Sequence, residues 1–472
     1  MKRLVMLFLA VLLAVSAVLT SALLLSGTQE QVTHGETVLA GDPTAADGLK
    51  LSLCYYGSRE HPRWVTEYSF GNPDSSETDF CFRTVIPVRS YPDTEYRGVV
   101  LNTFGDYFNA DHLSDILRLE TQSGSDKVFP GLLGAYQQLY NETPEGELTN
   151  TYLRIRDYCQ YYPLAGRMEF DSDGYHWNVY SSASFYALGT ESARAFNEYF
   201  RIPVLEDDWI QVVVDKRKSG STMESVDVSN SRKGSDVFRT SSVGVCFEGT
   251  AYFTFSALTE QGNLVDTSLI PGGYGLYGYQ YTEQGGRDAN SLTTLCSLDP
   301  SYAPYDMTVD KENRNLLYFS VKDGNRYLTV ISLDTMEILQ TVRILENLKD
   351  GWQFHKLLDN SLVAVSESAG VSVWEKDDRG LFQYRFTAAM GGEEKAVYLY
   401  DGAYAFDGQR LAVVQRKEEQ TETGYKQFCG FRVSVYTGEG HVYWGEYISS
   451  LETLTEWPHS YCSLEQINVS WE

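Results

Sequence analysis

The residues able to do chemistry are scattered rather than clustered. Trp352-Gln353-Phe354-His355 sets an imidazole beside a large ring. On the inner strand of a radial fold, His355 and Gln353 would face a central channel, and Trp352 enters that strand. The plainer reading is a hydrogen-bonded structural histidine. Residues 271–281 interleave glycine with tyrosine, and Tyr274 and Tyr277 could offer rings to a sugar or a peptide. The plainer reading is a twisted strand in which glycine relieves crowding and tyrosine packs. Asp171 and Asp173 stand in an Asp-x-Asp-Gly turn, a pattern that can hold calcium through carboxylate and carbonyl oxygens. The run Glu206-Asp207-Asp208 is the other calcium candidate, and solvated turns are the commoner use of such acids. No other cofactor is implied.

Local catalytic motifs are absent. The sequence holds no HExxH, GxSxG or GxxxxGK, so no catalytic residue is assigned. One GxGxxG match runs from Gly273 to Gly278, but it lacks the strand-to-helix context that a dinucleotide site needs. The seven histidines never fall at metal-ligand spacing, and the seven cysteines form no CxxC pair. Most cysteines have apolar neighbours and read as small buried hydrophobes. The net charge of −26 repels phosphate backbones and excludes nucleic acid as a partner.

The elements that must position these residues read as β. Aromatics make up 14% of the chain, with 34 Tyr and 22 Phe, types that suit half-buried pleated surfaces. From about residue 305 a four-strand unit recurs. Strands at 306–310, 316–321, 326–333 and 337–345 are joined by turns rich in Asn, Asp and Gly, which tolerate left-handed backbone angles. A second unit covers 353–386. A third covers 396–448 and has an expanded polar loop at 417–428. Second strands begin near 316, 361 and 410, a spacing of 45 and then 49 residues, which matches propeller blades.

In this grammar the chain resembles β-propeller proteins in general, most clearly over residues 305–450, without the signature of one family. Gly272-Gly273 is a kelch-like diglycine, and residues 171–177 are similar to the Asp-box of sialidase-type propellers. The diglycine lacks periodic partners, and the Asp-box is one residue short and does not recur, so no functional residue is carried over. The resemblance implies an all-β fold, a β-propeller of about seven four-stranded blades with six or eight as alternatives. Short helical excursions are expected near 111–117, 131–141 and 190–200. The last strand, near 466–471, is expected to pair with the first blade.

Residues 4–25 form an uncharged run behind Lys2 and Arg3. At about 1.5 Å per residue it is long enough to cross a hydrocarbon core of roughly 30 Å. The expected layout is an N-terminal transmembrane helix or signal segment at 1–25, a flexible linker at 26–49 reaching about 25 Å, and an extracytoplasmic domain at 50–472. The membrane is then a partner through residues 4–25. The protein is placed at the cell membrane as a single-pass chain with its C-terminal domain outside, or is secreted after cleavage. The function this implies is a tethered binding or scaffold module of the cell envelope whose ligand is an envelope protein or a glycan. The alternatives are a carbohydrate-active enzyme on cell-surface polysaccharide and a calcium-stabilised structural domain.

Overall fold

The computed structural model describes residues 11–18, 31–57, 62–71, 76–82, 95–102, 135, 138–162, 165–171, 198–217, 225–280, 291–348, 351–391, 399–420, 426–451 and 462–472. Among these the strands form seven antiparallel sheets. The chain divides into two compact units, one of Met1–Arg89, Asn347–Asp377 and Phe382–Glu472, the other of Ser90–Glu346 and Asp378–Leu381.

In the first unit, one four-stranded sheet is a simple meander of Gln353–Leu357, Ser361–Ser366, Gly370–Lys376 and Phe382–Ala388. A second is ordered Cys462–Trp471, Leu49–Gly57, Pro62–Ser69, Glu77–Phe82. The C-terminal strand therefore pairs with the first long strand of the domain, Leu49 opposite Trp471, as the sequence leads one to expect. The third sheet has five strands: His34–Gly41, Gly440–Ser449, Lys426–Thr437, Leu411–Gln420 and Ala403–Phe406. Part of the polar stretch expected as a loop extends its central hairpin, with Glu419 opposite Gln427.

The edge strand His34–Gly41 of that sheet lies inside the stretch expected to be a linker. It is held by side chains as well as by its backbone. Glu36 Oε1 accepts from the hydroxyls of Tyr443 and Tyr447, both at 2.9 Å. His34 Nε2 is hydrogen-bonded to the Tyr55 hydroxyl at 2.8 Å. The His34 ring packs edge-on against Tyr68 and Phe431.

In the second unit, Ser242–Phe247, Thr250–Phe255, Gly275–Gln280 and Thr293–Ser297 form one meander. Ala303–Asp310, Asn315–Lys322, Asn325–Ser332 and Ile338–Leu345 form another. The tight turn Asp323-Gly324, with both residues at positive φ, closes the hairpin that pairs Lys322 with Asn325. This is the two-residue loop whose twist suits right-handed strands. Leu148–Arg154, Trp209–Asp215 and Ser225–Lys233 make a three-stranded sheet, and Glu95–Asn102 pairs with Ala165–Asp171. The strand Trp209–Asp215 alternates strictly, with Ile210, Val212 and Val214 buried, the period-two pattern of a half-buried strand. Cys159 packs beside that core. Burial pushes its thiol up to about 11, so it stays a neutral, apolar filler.

Two expectations are corrected. The fold is all-β, but the sheets hold two, three, four or five strands, and none closes into a barrel. A propeller of about seven uniform four-stranded blades does not describe it. The two-stranded and three-stranded sheets fall in the first half of the chain, where the repeat grammar is weakest.

The transmembrane helix is also overturned. Among the described residues no helix is long and apolar enough to cross a membrane. Residues 11–18 are helical. The rest of the 4–25 run lies outside the described residues. An uncharged run satisfies the hydropathy condition for spanning, yet a span also needs an unbroken helix of sufficient length. Membrane partnership, the single-pass placement and the tethered scaffold all rested on that helix, and they fall with it.

Of the helical excursions, the one at 111–117 lies outside the described residues. Helix appears at 138–142 and at 198–199.

Candidate functional site

The strand Gln353–Leu357 is an edge of its sheet, and side chains along a strand alternate between faces. Trp352, Phe354 and Lys356 therefore share one face. Phe354 is only 5% exposed and belongs to the core of this unit, where burying such a side chain contributes about 1.5–3 kcal/mol. All three meet the same ring, Tyr400. Phe354 touches it edge-on at 5.4 Å, Trp352 lies at 6.3 Å with the planes 57° apart, and Lys356 Nζ sits 5.0 Å from its centroid. Trp352 is 53% exposed and Tyr400 38%. Two large rings and one ammonium thus reach solvent at one place, over a buried phenylalanine.

Both rings have rigid supports. Leu399 is fully buried, and its carbonyl accepts from Gly402 N at 3.1 Å and from the Tyr404 hydroxyl at 2.5 Å. That pins the turn carrying Tyr400. On the other side, Glu367 N donates to the Trp352 carbonyl at 3.1 Å. Gly351 precedes the tryptophan at φ +144°, and a Cβ there would lie 2.8 Å from Glu367 Oε2. Gly351→Ala is therefore expected to cost about 1–2 kcal/mol in backbone strain. The check is the urea midpoint of unfolding, together with a changed Trp352 fluorescence as the indole is displaced. An unchanged midpoint and spectrum would remove this support from the site.

The sequence-based candidates separate. His355 lies on the opposite face of its strand from Tyr400, partly buried, and does not join the rings. Tyr274 and Tyr277 are 6% and 0% exposed. The Tyr277 ring stacks on Phe255 at 5.8 Å and meets Phe200 edge-on at 4.8 Å. The Tyr274 hydroxyl donates to the Phe255 carbonyl at 2.6 Å, and burial pushes it up to about 12. Burial likewise raises Tyr277. These rings pack against the core and offer no face to a ligand. The glycine between them is there for close approach, since a Cβ on Gly275 would fall 2.1 Å from the Cys296 carbonyl oxygen.

The acid candidates are also accounted for. Asp171 ends the strand Ala165–Asp171, and Asp173 lies outside the described residues. In the run at 206–208, Glu206 Oε1 faces Arg154 at 3.6 Å. Asp207 accepts from Trp209 Nε1 at 2.8 Å and from Ser235 N at 3.0 Å, which hold its carboxyl below the usual range. Asp208 forms a buried pair with Arg232. Each carboxylate is already engaged by the protein. Among the described residues no group of three or more His, Cys, Asp or Glu side chains is placed to hold a metal ion.

Sequence reasoning missed Tyr400 and Lys356. Lys356 had a signal, since it follows Trp352 by four residues and so shares its strand face. Tyr400 had none: it comes from a turn outside that sheet, and only the fold brings it near.

No protein-family model matches the chain, and no curated protein matches it. Solved structures do. The Cps50 (Swd1) β-propeller domain of Myceliophteria thermophila is 8% identical, with a TM-score of 0.24 over 50% of this chain and 69% of that one. Kluyveromyces lactis Hsv2 is 9% identical, with a TM-score of 0.24 over 57% and 71%. The Bacteroides ovatus xyloglucan PUL GH43B is 10% identical, with a TM-score of 0.22 over 51% and 52%, so this chain spans about half its length. The likeness is distant and concerns propeller-type all-β architecture in general.

Proposed function

We propose that this protein recognises carbohydrate on the surface formed by Trp352 and Tyr400. The observation that carries this reading is the pair of exposed rings 6.3 Å apart, fixed from below by buried Phe354 and Leu399. Single exposed apolar residues are ordinary. Two large rings converging on one spot, each with a rigid support, are not scattered residues of that kind. An aromatic face carries negative charge density, which suits the C–H-bearing face of a sugar ring. Rings held in place lose little side-chain entropy on binding. The tilt between the rings makes a floor and a wall, a shape fitted to a ring with an edge and a face.

This reading keeps the carbohydrate part of the sequence-based alternative. Hydrolysis would add a requirement for two carboxylates about 5–9.5 Å apart across the bond to be cut. Glu367 lies beside Gly351, the residue before Trp352.

The test is affinity electrophoresis of the full chain through gels containing neutral and acidic polysaccharides. At least one polysaccharide should retard the protein. Trp352→Ala should weaken that retardation about ten-fold, equivalent to about 1.4 kcal/mol, while leaving the unfolding midpoint within about 0.5 kcal/mol of the parent, as for a surface change. Equal mobility of parent and variant in every gel would sink the proposal.

A further inference from the structure

We infer that the sugar chain seated on this surface carries a carboxylate and that Lys356 recognises it; the inference rests on the carbohydrate reading of the same site. Some lysines of the protein are matched by acids, as Lys50 with Glu472, Lys322 with Asp299 and Lys417 with Glu446, while Lys216 and Lys233 lie over the Tyr140 and Tyr152 rings. Lys356 is of the second kind, and beside it stand two exposed rings, Trp352 and Tyr400. Among the described residues no carboxylate pairs with it, and its ammonium instead lies 5.0 Å from the Tyr400 ring centroid, a cation over an aromatic face. In a chain with 64 acidic and 38 basic side chains, an ammonium beside two exposed rings is a point where a negatively charged ligand can be met.

The spacing bears on the size of the ligand. Trp352 and Lys356 are four residues apart on one strand face, roughly 13 Å of backbone at about 3.3 Å per residue. The lysine stem bends back to Tyr400, so the ammonium lies beside the wall of the site and away from the Trp352 floor. One sugar can rest on Trp352 while the carboxylate of the next reaches Lys356. The ligand class is therefore an acidic oligosaccharide of two or more units, a uronate-containing chain. Glu367 sits at the opposite, Gly351 end. The site then has a negative end and a positive end, which orients the chain with its carboxylate towards Lys356. An ammonium on a flexible stem contributes a point charge and three donors, enough to prefer a carboxylate to its neutral ester.

The experiment is calorimetric titration of the full chain with oligogalacturonate and oligomannuronate, each against its methyl ester, which keeps the rings and removes the charge. The parent should bind at least one acid form about ten-fold more tightly than its ester. Lys356→Gln should bind acid and ester equally, at the level of the ester, and Lys356→Arg should restore the preference. Trp352→Ala should weaken both forms. Equal binding of acid and ester by the parent, with Trp352→Ala still weakening both, would overturn the carboxylate inference and leave the carbohydrate reading standing. Ligands that do not bind would overturn the carboxylate inference and leave the carbohydrate reading to the gel test, and ligands that bind the Trp352→Ala variant as well as the parent would overturn both.

Discussion

Replacing Arg232 by methionine is expected to destabilise the protein by about 3–5 kcal/mol, the range found when one partner of a buried ion pair is removed. The Asp208 and Arg232 side chains are 0% and 4% exposed. Arg232 Nε donates to Asp208 Oδ1 at 2.9 Å, and its Nη2 donates to Oδ2. Tyr162 donates its hydroxyl to the same Oδ2 at 2.7 Å and accepts from Leu205 N at 3.2 Å. The arrangement is bidentate and satisfied on every side, which is what lets two charges stay in an apolar core. Burial, and after it the charge of Asp208, raises the Tyr162 hydroxyl, so the phenol remains a donor at any working pH.

With the guanidinium gone, the carboxylate is left in the core among Ile155, Ile210 and Phe238 with only a phenol and backbone to answer it. Asp208→Leu should cost a similar amount for the converse reason. The double variant should cost clearly less than the sum of the two, because no buried charge is left alone. Tyr162→Phe removes one hydrogen bond and should cost about 1–3 kcal/mol. Urea unfolding, followed by hydrogen exchange of the amides in Trp209–Asp215, measures all four. Additive single variants would mean that the pair is not coupled, and the account would fail.

That pair also shows where the sequence was legible. The acid run at 206–208 was visible as a cluster, and calcium was the chemistry it suggested. What the run does depends on Arg232, Tyr162, Trp209 and Ser235, which arrive from as far as 46 residues away. Spacing along a chain cannot show a partner that long-range strand pairing supplies.

The meanders were legible because their information is local. Turn residues such as Asp323-Gly324 and alternation within each strand specify a hairpin from a few neighbours, so 303–345 and 353–388 fold nearly as read. The regions that failed contain pairings across long gaps: Glu95–Asn102 with Ala165–Asp171, and Leu148–Arg154 with Trp209–Asp215. For the uncharged run at 4–25, hydropathy reports a preference for apolar surroundings and does not by itself report a spanning helix, and none is present among the described residues. For the candidate site, Trp352 was found and Tyr400 was not. A strand face can be read by counting in twos, whereas a ring presented from a turn outside the sheet can be placed only by the fold.

Lowering the pH from 6.5 to 4 is expected to remove a definable part of the protein's stability through His34. Burial lowers this imidazole from 6.5 to about 4. Its Nε2 is committed to the Tyr55 hydroxyl at 2.8 Å, and Tyr68 and Phe431 stand edge-on at 5.3 Å each. In the folded protein the ring is therefore neutral at pH 5–6, while in the unfolded chain it takes up a proton below about 6.5. The unfolded state binds more protons across that window, so stability falls as pH falls through it. The contribution is complete above 6.5 and is lost by about pH 4, below which both states are protonated and no further loss follows. The gap between the two values corresponds to about 3 kcal/mol, reduced to about 2 kcal/mol by the water that reaches a partly exposed ring. His34→Phe keeps an aromatic side chain against Tyr68 and Phe431 and removes the titration. Its unfolding free energy should fall less steeply than the parent's between pH 6.5 and 4, by about 2 kcal/mol over the interval, and run parallel to it above pH 7. Contributions from groups that both proteins share cancel in the comparison. Parallel curves across the whole range would show that His34 takes up its proton as readily in the fold as in the unfolded chain, and that the strand His34–Gly41 does not depend on a neutral histidine at its start.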